Sequence, residues 1–173
     1  MYDLLDIRPG HWNLHILLRN QVTCFLEACG YLARRGPLLV LDCNRQYNPS
    51  LVLRAALGRE ENLNRIKSRR AFNCFETTIL LQTTQTSNAP VVVFDPLTHF
   101  YDEHVPYNMR QFLLGNCITH IQRLSKGAGL AVLVQPLPGD ALVVNLYNRL
   151  IKAAPQVIPY DSHTTRPVQQ RMF

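Results

Sequence analysis

Residues His15–Ala33 read HILLRNQVTCFLEACGYLA. The short apolar run Ile16–Leu18 predicts a strand, and Cys24, Phe25, Ala28, Cys29 and Leu32 recur at the spacing of one helix face. A strand, a tight junction and a helix make the setting in which a helix N-terminus holds a phosphate. The junction is RNQV, with neither glycine nor lysine. The frame of a nucleotide site is present, and the residues that grip a nucleotide are missing.

The alternation continues along the chain. Gly36-Pro37 ends the first helix, and LLVLDC (Leu38–Cys43) predicts a buried strand. NRQYNPS is a loop, and Pro49 suits the opening of a helix over Ser50–Gly58. A charged stretch follows, then AFNCFETTILLQTT, whose apolar positions from Phe75 to Leu81 fit a helix. VVVF (Val91–Phe94) has the composition of a central parallel strand. Asn108–Lys126 predicts a long helix with Phe112, Leu113, Ile118, Ile121 and Leu124 on its apolar side. Gly127 and Gly129 close it, and LAVLVQ (Leu130–Gln135) is another buried strand. This order predicts one α/β domain over 1–173, a mainly parallel β-sheet flanked by helices on both faces. Ligands of such sheets bind beyond the carboxyl ends of the strands, where Asp42, Asp95 and Gln135 fall.

Bulk properties narrow the class. A hydrophobic content of 47% and a charged content of 17% describe a folded globular chain. No apolar run approaches the ~20 residues of a membrane span. The start, MYDLLDIRPGHWN, is acidic and lacks the features of a signal peptide. The expectation is a soluble intracellular protein, in the cytoplasm or nucleoid of a prokaryote or the nucleus of a eukaryote. Five cysteines without regular spacing argue against a disulfide framework, and Cys24, Cys29 and Cys74 read as small core residues. No close Cys or His pairs suggest a metal site. The net charge of +6 and pI near 9.3 sit at the edge of the range for nucleic-acid binding. Arg65, Lys67, Arg69 and Arg70 form the densest basic segment, read either as a solvated helix end or loop, or as a nucleic-acid contact.

VVVFD, four apolar residues and an aspartate, has the form of a Walker B strand, whose carboxylate helps to hold Mg²⁺ beside a nucleotide. With it, the chain resembles the ATPase core of RecA/RadA-type recombinases, especially the archaeal and eukaryotic branch. LVLDCNRQYNPSLV resembles the family strand and loop that read apolar-Asp-Thr-Glu-Gly-Thr-Phe-Arg-Pro-Glu. RRAFNCFETTILL resembles the "ARAFN" segment and the helix behind it. VVVFDPLTHFY resembles the Walker B strand and its continuation. MRQFLLGNCITHIQRLSKGAGLAVLVQPL resembles the helix rich in Arg, Gln and Leu and the strand ending in Asn-Gln. The tail PYDSHTTRPVQQRMF resembles the closing "YDSP…AMF".

The departures from that family define the functional expectation. Its phosphate loop, GxxxxGK[ST], corresponds here to LRNQVT, two residues shorter, with Thr23 the only survivor and Arg19 the only nearby cation. Asn44 stands where the family has the glutamate that activates water, and an amide cannot serve as a general base. Arg19, Thr23, Asn44, Asp95 and Gln135 are thus the positions of a degenerate nucleotide site, with no catalytic residue, no metal and no ATP cofactor expected. The DNA-binding loops of the family correspond to YDEHVPYNM and PLPGDALVVNLYNRL, both shortened. Tyr101, His104, Tyr107, Arg110, Tyr147, Arg149 and Lys152 nevertheless supply the aromatic and basic mixture of single-strand binders. No small helical N-terminal domain and no Phe-x-x-Ala segment is recognised.

The resemblance implies a non-catalytic recombinase paralogue in homologous recombination and DNA repair, comparable to Shu-type complexes whose subunits lack the Walker motifs. Its partners would be DNA, single-stranded above all, and a recombinase or another paralogue, in a homo- or hetero-oligomer. The alternatives are a purely protein-binding pseudo-ATPase scaffold, and an ATPase with an atypical phosphate loop built on Arg19, Thr23, Asp95 and Gln135.

Overall fold

A computed structural model of the chain describes residues 7–18, 21–136 and 141–159. Its strands are β1 (Trp12–Ile16), β2 (Leu38–Asp42), β3 (Ile66–Arg70), β4 (Val91–Phe94), β5 (Leu130–Val134) and β6 (Gln156–Pro159). Its helices are α1 (Val22–Arg35), α2 (Pro49–Ala55), α3 (Glu60–Leu63), α4 (Cys74–Thr83), α5 (Tyr107–Ser125) and α6 (Ala141–Ala153). A 3-10 turn covers Thr98–Tyr101. All strand pairings are parallel, in the order β3-β2-β4-β5-β1-β6.

The register carries one apolar row across five strands: Leu41, Val93, Val132, Leu14 and Val157. Side chains alternate across a strand, so this row faces α4, α5 and α6. The intervening residues Val40, Val92, Phe94, Ala131 and Leu133 face α1, α2 and α3. Two apolar cores, one on each face, therefore sandwich the sheet. That doubly covered sheet explains why its central strands are almost uniformly apolar.

Local chemistry sets the helix boundaries. Pro49 occupies the first turn of α2, and the Asn48 carboxamide oxygen accepts the Ser50 N–H. At α4, the Asn73 side chain accepts the Glu76 N–H at 2.8 Å, while the Glu76 carboxylate accepts the Phe72 N–H at 2.9 Å. That reciprocal arrangement resembles a capping box and satisfies two donors that a helix start otherwise leaves open. Beyond α5, Gly129 has a φ of 98°, and a Cβ there would collide with the Arg8 carbonyl.

Three expectations need correction. The first strand is Trp12–Ile16 rather than Ile16–Leu18. Asn13 and His15 are buried between the strand and its surroundings, and the His15 ring meets Phe25 edge-on at 5.5 Å. Their polarity hides the strand from a search for apolar runs. Of the basic segment only Arg65 lies in the turn after α3: Ile66–Arg70 is β3, an edge strand paired among the described residues with β2 alone. Lysine and arginine suit an edge because they discourage unplanned strand pairing. Phe112, expected on the apolar side of α5, is 64% exposed, whereas Leu113, Ile118, Ile121 and Leu124 are buried. No helix among the described residues is long and apolar enough to cross a membrane, and all five cysteines are free.

Candidate functional site

The carboxyl ends of β2, β4 and β5 bring Asp42, Asn44, Asp95 and Gln135 to one edge of the sheet. Asp42 is buried at the end of β2 and acts on its own loop. Its Oδ1 accepts the N–H groups of Asn44 (3.3 Å) and Gln46 (2.9 Å), and its Oδ2 accepts that of Tyr47 (3.2 Å). The Arg70 guanidinium at the end of β3 closes the arrangement, with Nε and Nη2 at 3.0 and 2.9 Å from Oδ2. Asp42 is thus the post around which the β2–α2 loop is wound. Its place on the loop follows from chemistry, since an ionised carboxylate accepts several hydrogen bonds and donates none.

The loop so formed delivers Asn44 to Asp95, whose Oδ2 accepts the Asn44 Nδ2–H at 2.8 Å. Asp95 is 4% exposed and has a φ of 45°, a left-handed conformation rare for residues other than glycine, asparagine and aspartate. The nearby backbone N–H groups of Gln135 and Thr98 also favour its charged form. Burial outweighs these three donors and pushes the Asp95 carboxyl up to about 6. Of the sequence-derived positions, Asn44, Asp95 and Gln135 therefore form one hydrogen-bonded group. Thr23 stands exposed in the first turn of α1, and Arg19 lies outside the described residues.

The junction before α1 is closed on itself. The Gln21 N–H donates to the Leu18 carbonyl at 2.9 Å, and the Leu18 N–H donates to Gln21 Oε1 at 2.7 Å. Gln21 is buried, and its side chain is spent on this turn. A phosphate loop needs an open ring of backbone N–H groups and a cation at its mouth. The Asp95 carboxylate, at the position of the Walker B metal ligand, already holds the Asn44 amide on Oδ2. Among the described residues, no three His, Cys, Asp or Glu side chains are grouped to hold a metal ion.

The expected DNA contacts are dispersed, and several are committed to the fold. Arg65 Nη1 donates to the carbonyls of Ala33 and Arg34 at the end of α1. Arg70 is tied to Asp42. Arg110 is 4% exposed, donates to the Phe100 carbonyl at 3.1 Å, and lies 5.6 Å from the centre of the Tyr107 ring. Tyr147 is buried and Tyr101 half-buried against the same core. Arg149 donates to the Gln111 carbonyl at 2.7 Å, and His104 Nδ1 pairs with Asp102 at 2.9 Å. Lys67, Arg69 and Lys152 are exposed, as are Arg65, Arg70, Arg149 and His104 despite their contacts, with Arg69 reaching Thr83 at 3.3 Å. The tail PYDSHTTRPVQQRMF lies outside the described residues from Tyr160 onward, as does Leu137–Asp140 of the second loop.

Sequence reading missed a surface that the fold assembles beside β3. A groove of about 440 Å³ runs past Tyr47, Ser68, Arg69, Arg70 and Phe72. The Arg45 guanidinium covers the Phe72 ring at 5.1 Å. Phe72, Phe75 and Ile79 on and before α4, and Met109 and Phe112 on α5, are exposed on two helices that pack side by side. The spacing of Phe75 and Ile79, four apart, was the available signal, and it served only to identify the helix. No protein-family model matches the chain, and no curated protein matches it either.

Proposed function

We propose that this chain is a non-catalytic relative of RecA/RadA-type recombinases, acting by binding rather than by turnover, within homologous recombination and DNA repair. The observation that carries the reading is the Asn44–Asp95 hydrogen bond. An amide holds the place of the water-activating carboxylate and engages the carboxylate that would serve the metal. The Gln21 side chain, bonded to the Leu18 N–H at the start of α1, argues in the same direction.

Protein contact is the favoured mode of binding. Five exposed large apolar side chains gather on α4, on α5 and before α4, and the adjacent outer edge of β3 has no strand partner among the described residues. Such patches and edges mark interaction surfaces. The partner would be a recombinase or another RecA-like subunit. Direct single-strand DNA binding is the second reading, and Lys67, Arg69 and Lys152 favour it because their charges stay exposed. Both modes place the chain inside the cell.

The test combines three titrations of the purified protein. Calorimetry with ATP and Mg²⁺ should give no heat of binding. Association with the recombinase of the same organism should be seen, and should fall at least about tenfold for Phe75→Asp with Phe112→Asp. A labelled oligo-dT should bind weakly, with an affinity that drops steeply with salt. ATP hydrolysis that Asp95→Asn abolishes would overturn the reading in favour of an ATPase with an unusual phosphate loop. Recombinase binding that ignores the α4–α5 substitutions would overturn the choice of surface.

A further inference from the structure

The α-helices run antiparallel to the strands, so α1 and α2 end near the amino-terminal edge of the sheet, opposite Asp95. There α2 closes in a turn that a leucine should avoid. Gly58 N–H donates to the Leu53 carbonyl at 2.9 Å, and Leu57 N–H to that of Arg54 at 3.3 Å. Leu57 therefore sits at the left-handed position of a helix C-cap, with a φ of 61°. Glycine is favoured there because a Cβ crowds the neighbouring carbonyl. Leu57 is also 61% exposed, so burial does not offset the strain. Strain retained without local compensation is a mark of a binding feature.

Leu57 opens onto a groove of about 280 Å³ whose walls include Arg34, Arg59 and Arg65, with Glu61 at the rim and Asn62 at the floor. Two of these residues are held by the fold. Arg65 Nη1 bridges the last carbonyls of α1, at 3.4 and 3.1 Å. Asn62 is buried and donates from Nδ2 to the Ala56 carbonyl at 3.2 Å, tying α3 to the end of α2. Among the described residues, Arg59 makes a 4.0 Å exposed pair with Glu61. Three guanidinium groups thus face one carboxylate around an exposed aliphatic side chain, far from the Asn44–Asp95 group.

We propose that this groove docks an acidic segment of a partner protein, with carboxylates on Arg34, Arg59 and Arg65 and an aliphatic side chain packed on Leu57. Charge complementarity selects an anionic partner, since planar guanidinium forks match carboxylates well. Two details favour a peptide over nucleic acid. Glu61 would repel a continuous phosphate backbone, and the groove offers Leu57 rather than an aromatic ring on which a base could stack. The inference does not depend on the recombinase reading, because it uses neither the nucleotide-site residues nor β3.

Fluorescence anisotropy at low salt tests it, with three labelled probes: a dodecapeptide of glutamate and leucine, the matching all-glutamate peptide, and an oligo-dT of similar charge. The mixed peptide should bind most tightly. Arg34→Glu with Arg59→Glu should weaken it at least about tenfold. Leu57→Gly should weaken the mixed peptide several-fold and leave the all-glutamate peptide unchanged. Arg59→Ala, an exposed truncation, serves if the double variant fails to fold, and should weaken the mixed peptide in the same direction. Equal affinities for wild type and arginine variants would overturn the proposal, as would no binding at low salt. Tighter oligo-dT binding that the same arginine substitutions remove would overturn it too, by marking a nucleic-acid site. An unchanged affinity in Leu57→Gly would overturn the role given to leucine.

Discussion

Asp95→Asn isolates the electrostatics of the candidate site. The wild-type carboxyl is buried and raised from 3.8 to about 6. A raised carboxyl favours the neutral form in the folded state. Its stabilising contribution is therefore complete below the unfolded value and is lost as pH rises through about 6. At 1.36 kcal/mol per unit, the whole swing is about 3 kcal/mol, of which about 2 kcal/mol falls between about pH 4.5 and about pH 8. Asparagine removes the titration while suiting the left-handed backbone, since it is among the residues that tolerate a positive φ. The Asn44 amide can rotate to present its oxygen to the new NH₂ group, and the new carbonyl can accept from the Gln135 and Thr98 N–H groups. Urea unfolding followed by the fluorescence of the single tryptophan, Trp12, should then show a variant that gains on wild type as pH rises. The gain should reach about 2 kcal/mol by about pH 8 relative to about pH 4.5. A difference constant to within about 0.5 kcal/mol over that range would refute the reasoning, because it would mean that Asp95 is not a desolvated carboxyl.

Four other substitutions probe different parts of the molecule. Asp42→Ala strips the acceptor from three backbone N–H groups and from Arg70, and should cost about 3 kcal/mol or more in urea unfolding. Arg70→Gln should cost less, since that guanidinium is 41% exposed at its side chain. Leu57→Gly relieves the left-handed strain at the end of α2 and should raise stability by about 1 kcal/mol, read as a higher midpoint of thermal unfolding. Gly30→Ala should destabilise despite the better helix propensity of alanine, by about 1–3 kcal/mol. Its Cβ would come within 2.5 Å of the Val52 carbonyl and 2.8 Å of Ala55 Cβ, where α1 and α2 pack closely.

Legibility varied with the source of each element's stability. VVVF, LLVLD and LAVLV could be read directly, because strands covered on both faces are mostly apolar along their length and these three are nearly so. The start of α2 was legible from Pro49 alone, a local signal that holds in any tertiary setting. β3 was not legible, because an edge strand pays for its exposed side with charge and shows no apolar run. Phe112 was misassigned because an apolar residue on a helix says nothing about whether that side is covered.

Within the site, Asp42, Asp95 and Gln135 were placed at strand ends by pattern, and Asn44 by the family resemblance. Their shared hydrogen bonding depends on Asp42 winding its loop so that Asn44 reaches across from β2 to β4. Arg65, Arg70 and Arg110 were counted as free cations because sequence shows charge and not what the charge meets. Local composition and periodicity by themselves determined the three central strands, the alternation with helices and the covered parallel sheet, since these arise from burial along a single element. Only the tertiary structure decided which charges face solvent, how the first junction is closed and where the grooves lie. Those features are made by residues distant in the chain, and their energies exist only once the elements have packed.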